Sequence, residues 1–217
     1  MTPATGDPPR PPAVDHLIYG VPDLEGGRDR IEELLGVRPV PGGRHPDYGT
    51  RNALLGLGPE TYLEVMAPDP DLPRPERGVL FGLDERETPG FVTWALRGEA
   101  IEERAAVAAA HGLALGPVEA GSREKPDGTV LTWKLTDPRA LPLGGVVPFL
   151  IAWGETPHPA GTVPGAGELV GLRLEHPDPD AVRGGLAALG VEAPVTAGRR
   201  ARIVATIRTP DGDVEIA

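Results

Sequence analysis

The hydrophobic pattern of this chain is clearest in two short stretches, VDHLIYGVP at 14–22 and ETYLEVMA at 60–67. Both alternate with a period of two, as half-buried strands do. In the first, His16 and Ile18 share a face opposite Leu17, Tyr19 and Val21; in the second, Tyr62, Glu64 and Met66 share a face opposite Leu63 and Val65. A third alternating run at 51–57 sets Asn52 and Leu54 against Ala53, Leu55 and Leu57. After the first strand comes LEGGRDRIEELL at 24–35, whose Leu24, Ile31, Leu34 and Leu35 make an apolar stripe at helical spacing. The pattern predicts a βαβββ unit with its helix on one side of the sheet and His16, Asn52 and Glu64 on the other. A His and a Glu meeting on the helix-free face are what a small metal site needs.

Beyond this unit runs a proline-rich connection containing PDPDLPRPE and then VLFGLDE, a segment suited to a helical turn. A second unit follows. It has a strand at 91–96, an alanine-rich helix at 99–111 stopped by Gly112, and a short strand at 116–121. A PDG hairpin turn at 126–128 then leads to strands at 130–135 and 146–153. After GETPHPAGTVPGAG at 154–167 the pattern repeats, with a strand at 169–175, a helix at 178–189 stopped by Gly190, and strands at 194–197, 201–208 and 213–216. VPDLEGGRDRIEELLG and HPDPDAVRGGLAALG match in their Pro-Asp entry, helix and closing glycine. YLEV at 62–65 matches DVEI at 213–216, which sets Glu64 opposite Glu215 and His16 opposite Gly171. The expected organisation is a disordered tail at 1–12, a first module at 13–70, a linker at 71–89, a second module at 90–157, a linker at 158–167 and a third module at 168–217. Repeats of about 50 residues suit propellers and solenoids as well. Here each unit mixes one helix with several strands, so the expectation is an α+β fold of paired sheets forming a cup or barrel.

With these segments in place, the chain resembles the vicinal oxygen chelate superfamily, which includes glyoxalase I, extradiol dioxygenases and bleomycin-resistance proteins. The first unit is most similar to its glyoxalase-like domain group. The segments that carry the resemblance are DHLIYGVPDLEGG at 15–27, PGGRHPDYGTRNALLGLG at 41–58, TYLEVMAPDPD at 61–71 and PFLIAWGETPHP at 148–159. The resemblance implies repeated βαβββ modules whose mixed sheets form a glyoxalase-like cup, with metal ligands on the first and fourth strands of paired units. His16 and Glu64 hold those positions in the first module. It further implies a divalent ion (Fe, Mn, Zn, Ni or Co) that polarises vicinal oxygens of a small-molecule substrate, in chemistry of the lyase, isomerase or dioxygenase type. Glu64 would take a proton next to a carbonyl. The bleomycin-resistance relatives imply an alternative, a non-catalytic protein that sequesters a small molecule. The matching positions of the second module are Thr93 and Ile151 or Ala152, none a ligand, and the third offers Gly171 and Glu215. His158 or His45 would complete the shell.

Each of these residues also has a plain structural role open to it. A carboxylate within YLEVM is costly to bury unless it is paired or ligating, and a salt bridge from Glu64 to Arg44 or Arg51 would satisfy it. His16 suits a polar lining without a metal. The loop PGGRHPDYGTRN at 41–52 places Arg44, His45 and Asn52 where they suit a substrate carboxylate, carbonyl or phosphate, or else local backbone groups. Trp94 and Trp133 fall on the apolar phase of their strands, which suits core packing under the second helix. Trp153, close to His158, suits a pocket wall. The third module's helix-free face carries Arg173, Glu175, Arg202, Arg208 and Glu215 and reads as solvated or ion-paired.

Composition narrows the classes further. The net charge of −11 opposes non-specific binding to nucleic acid or anionic membrane. The absence of cysteine removes disulfides and thiolate chemistry. No apolar run approaches the ~18 residues of a membrane span, and the N-terminus lacks a charged-then-apolar leader pattern. The expectation is a soluble, cytoplasmic protein with a small-molecule partner and a homodimer as its simplest assembly. No nucleotide cofactor is expected, because no Walker or dinucleotide loop is present. Serine-hydrolase and zincin signatures are missing too.

Overall fold

A computed structural model of the chain describes residues 13–124 and 130–217. The tail at 1–12 and the PDG turn at 126–128 lie outside the described residues. The first part comprises β1 (Val14–Gly20), α1 (Leu24–Leu35), β2 (Val40–His45), β3 (Thr50–Gly56) and β4 (Tyr62–Pro68). The next comprises β5 (Gly90–Arg97), α2 (Ile101–Ala110), β6 (Val118–Glu124), β7 (Val130–Thr136) and β8 (Phe149–Ala152). The last comprises β9 (Glu168–His176), α3 (Pro179–Ala188), β10 (Val195–Ala197), β11 (Arg202–Thr209) and β12 (Gly212–Ile216).

Eight strands make one curled sheet in the order β2-β3-β4-β1-β5-β8-β7-β6. Its halves share one plan. In each, the first strand pairs in parallel with the fourth, β1 with β4 and β5 with β8, and the remaining pairs are antiparallel. The halves join where β1 and β5 run antiparallel. The fold is therefore α+β, with repeated βαβββ modules closing a half-barrel. The other four strands form a separate sheet in the order β10-β9-β11-β12. Here the first strand pairs in parallel with the second. Glu215 consequently sits opposite Thr206 on β11, outside the curled sheet, despite the match between DVEI and YLEV.

The helix-side core is continuous across both sheets, joining Leu17, Tyr19, Leu63, Val65 and Trp94 to Leu174, Val182 and Ile207. Its anchoring element is α1. Asp23 caps the helix, its carboxylate accepting from the Gly26 amide at 2.7 Å, and Gly36 ends it at φ 74°, a left-handed turn that suits glycine. Leu24, Gly27, Ile31 and Leu35 face the sheet and are buried. The opposite face of the curled sheet carries a second apolar cluster that includes Ile18, Met66, Leu135, Phe149 and Ile151.

Two elements differ from the sequence reading. PGGRH, expected as loop, forms the edge strand β2, which tolerates Pro and Gly because it pairs on one side only and bulges between Pro41 and Gly43. Trp133, expected in the core beneath α2, faces the hollow of the half-barrel beside Leu135. The alternation of β7 has the expected phase. Its polar phase is the one turned towards α2, where Lys134 reaches Glu102 at 2.6 Å. Among the described residues no helix is long and apolar enough to cross a membrane.

A Cβ at Gly27 would stand 2.7 Å from Val21 and 3.0 Å from Val65. Alanine there gains about 0.5–1 kcal/mol of helix propensity, while overpacking between helix and sheet costs about 1–3 kcal/mol. The clash wins, so Gly27→Ala is expected to be net destabilising in urea denaturation. A variant more stable than the wild type would contradict the tight helix–sheet contact.

Candidate active site

Alternation and register bring the polar residues of the first module together. His16 pairs across to Tyr62, Glu64 to Ile18 and Leu54, and Asn52 to Met66. Glu64 is thus a diagonal neighbour of both His16 and Asn52 on the hollow face, within side-chain reach of each. The three residues lie on the floor of a cavity of about 640 Å³, mouth included. The facing strands β7 and β8 contribute Trp133, Leu135, Phe149 and Ile151 to its wall. One side of the hollow is chemically equipped and the other is apolar.

The residue that organises the floor is Asp15. In the pairing of β1 with β5, Val14 and His16 face consecutive residues Leu96 and Ala95, so Asp15 is the extra residue of a bulge. Bulges break alternation and re-aim a side chain. Asp15 is fully buried. Its carboxylate accepts from His16 Nδ1 at 2.8 Å, His158 Nε2 at 3.0 Å and Trp153 Nε1 at 3.0 Å. A carboxylate offers only acceptors, so each of those ring nitrogens carries a proton. His158 Nδ1 accepts from the Ala160 amide at 3.3 Å, so both of its nitrogens are occupied. Burial pushes the Asp15 carboxyl up, but hydrogen bonds from His158 and His16 outweigh it and hold the group down at about 2.

With its Nδ1 proton directed at Asp15, His16 turns Nε2 towards Glu64 Oε2, 3.5 Å away. Asn52 donates to the other oxygen, Oε1, and its own Oδ1 accepts from the Gly43 amide at 2.7 Å. Both side chains of the pair are almost fully buried. A bare Nε2 and a carboxylate would face each other lone pair to lone pair, so the geometry calls for a proton or a cation between them. It is a place where a proton can be held and passed.

The other expected site residues fall differently. Arg44 points away from the cavity and pairs with the buried Asp69 at 2.5 Å, holding that carboxyl below its usual range. His45 lines the cavity, with Nδ1 3.0 Å from Thr50 Oγ1. Trp153 lines it too, and His158 stands behind Trp153 on Asp15. As donors for the divalent ion implied by the resemblance, His16 Nε2 and Glu64 Oε2 converge, but His158 is fully engaged. Among the described residues no group of three or more His, Cys, Asp or Glu is arranged to hold a metal. Two donors are one fewer than the three protein ligands of a typical catalytic zinc site. The set does not fit a tightly held ion.

The fold and floor define a cup built from paired βαβββ modules. A family model described as glyoxalase-like domain matches residues 14–190, and the chain belongs to that family, within the vicinal oxygen chelate superfamily. Among solved structures it is similar to a hypothetical protein from Staphylococcus aureus, with 14% identity over 94% of this chain and 98% of that chain and a TM-score of 0.63. It is also similar to methylmalonyl-CoA epimerase from Mycobacterium tuberculosis, with 22% identity over 70% of this chain and 93% of that chain and a TM-score of 0.43. At 14% identity the first of these likenesses is one of fold alone. No curated protein matches the chain.

Because the Asp15 carboxyl sits at about 2 rather than the ordinary 3.8, it stabilises the fold above the ordinary value, and that contribution disappears as the pH falls through the lower one. The expected loss over this window is about 2 kcal/mol. Asp15→Asn is expected to be less stable at neutral pH and to lose less on acidification, as followed by urea denaturation at each pH. Parallel pH curves for the two proteins would contradict the assignment.

Proposed function

We propose that this protein is a small-molecule enzyme of the glyoxalase-like type that moves a proton at a carbon beside a carbonyl. The observation behind this reading is the His16–Glu64 pair, 3.5 Å apart on the floor of a largely apolar cavity. Glu64 Oε2 is the base that takes the proton. Asn52 holds Oε1 and so leaves Oε2 to face the substrate. His16 Nε2, carrying the proton of the pair, hydrogen-bonds the carbonyl oxygen and stabilises the enolate that forms. Return of the proton from Glu64 to the same or the adjacent carbon, with the matching oxygen proton exchanged through His16, yields an isomer and restores the pair. Asp15 fixes the ring of His16 and offsets its charge.

Metal-assisted lyase or dioxygenase chemistry, which the superfamily resemblance implies, would need a fuller donor set than His16 and Glu64, and no step above runs through an ion. A second reading, a non-catalytic protein that sequesters a small molecule, is supported by the side of the cavity built from β7 and β8, which supplies shape but no reactive group.

The two readings separate by proton exchange. In D2O, the wild type is expected to wash deuterium into the carbon next to the carbonyl of a panel of α-hydroxy ketones and α-keto aldehydes, followed by proton NMR, with or without chelator. Glu64→Gln should lower that rate by about 10²–10⁴-fold, the usual worth of a general base. Ligands that bind without any exchange above buffer would favour the sequestering protein. Exchange abolished by chelator and restored by a divalent ion would replace the metal-free mechanism.

A further inference from the structure

The chain is poor in aromatic residues, with three Trp, three Tyr and three Phe. Tyr48, Tyr62, Phe81, Trp133, Phe149 and Trp153 all line this one cavity. The other three, Tyr19, Phe91 and Trp94, belong to the helix-side core. Phe81 reaches the wall from a left-handed backbone, φ 60° and ψ 13°, a conformation that carries a strain cost in a bulky residue. Trp133 and Trp153 lie against each other with ring centroids 5.4 Å apart.

Charge is distributed in the opposite sense. No Arg or Lys lines the cavity among the described residues; apart from the phenols of Tyr48 and Tyr62, its titratable groups are His16, His45 and Glu64. Arg44 is committed to Asp69 and Asp71, and Arg139 is stacked 5.1 Å over the Tyr48 ring. Behind the floor, buried Asp15 matches its charge against His16 and His158. A carboxylate or phosphate entering here would lose its water beside Glu64 and meet no guanidinium or ammonium, and the His16 ring is already matched by Asp15 and Glu64, so entry costs several kcal/mol. Glu64 Oε1 already accepts from Asn52, and Oε2 faces His16 Nε2 across 3.5 Å with a proton between them, so a cation would have to displace that proton to bind.

We infer that the ligand is an uncharged, ring-bearing compound, held face-on by the aromatic wall and presenting one carbonyl or hydroxyl to His16, Glu64 and Asn52. This names the substrate class for the function proposed above and rests on that reading only for the turnover of the compound, not for its binding. Flat rings gain stacking and burial on such a wall without a counter-charge, and a small polar end suffices to set their orientation.

Calorimetric titration of the wild-type protein at neutral pH with four matched probes tests the inference: 2-naphthol, 2-naphthoate, 2-naphthyl phosphate and protonated 2-naphthylmethylamine. 2-Naphthol is expected to bind at least about tenfold more tightly than each charged analogue, about 1.4 kcal/mol. Trp133→Arg, at a partly buried wall position, should weaken 2-naphthol and strengthen 2-naphthoate. A smaller margin, a charged probe binding best, or no binding of any probe at millimolar concentration would overturn the inference. Binding with the expected preference but no proton exchange on any carbonyl compound would leave the ligand class standing and remove the enzyme reading. Exchange on a charged substrate would do the reverse.

Discussion

One buried carboxylate holds the site together. Asp15 has no contact with solvent, so its charge is tolerable only because two imidazoles and an indole donate to it. That requirement fixes a tautomer on His16, anchors Trp153 in the wall and ties the segment after β8 back onto β1. Loss of the carboxylate's charge would leave three donors to reorganise at once. The facing of His16 Nε2 and Glu64 is a consequence of this arrangement, because a ring whose Nδ1–H donates to Asp15 can turn only Nε2 to the cavity.

The two halves of the curled sheet share a topology but divide the labour. The first half puts Asn52, Glu64 and His16 on its hollow face, while the second puts Trp133, Leu135, Phe149 and Ile151 there. Duplicated modules can thus keep one backbone plan and supply chemistry from one side and shape from the other. The separate four-stranded sheet, with its different strand order, extends the helix-side core and lies outside the cavity.

Much of this is legible along the chain. Period-two alternation places His16, Asn52 and Glu64 on one face without reference to any structure, and the Asp23 cap and Gly36 stop delimit α1. Asp15 escapes the same logic. Alternation assigns it to the face of Leu17, and only the bulge against β5, a long-range pairing, brings it to His16 and His158. A buried Asp beside a His in an apolar strand was the available signal. Trp133 shows the converse limit: an apolar phase marks a buried face, but core and ligand pocket are both apolar. Arg44 and Glu64 both stand in the first module, yet the partner each one finds, Asp69 and Asn52 respectively, depends on strand register.

The most direct test of the Asp15-centred account is long-range nitrogen–proton NMR of the five histidine rings, with His16 assigned from a His16→Gln spectrum. The account predicts a proton on His16 Nδ1 across the neutral range and a change in that signal in Asp15→Asn. A His16 ring with bare Nδ1 and its proton on Nε2, unaffected by the Asp15 substitution, would contradict it.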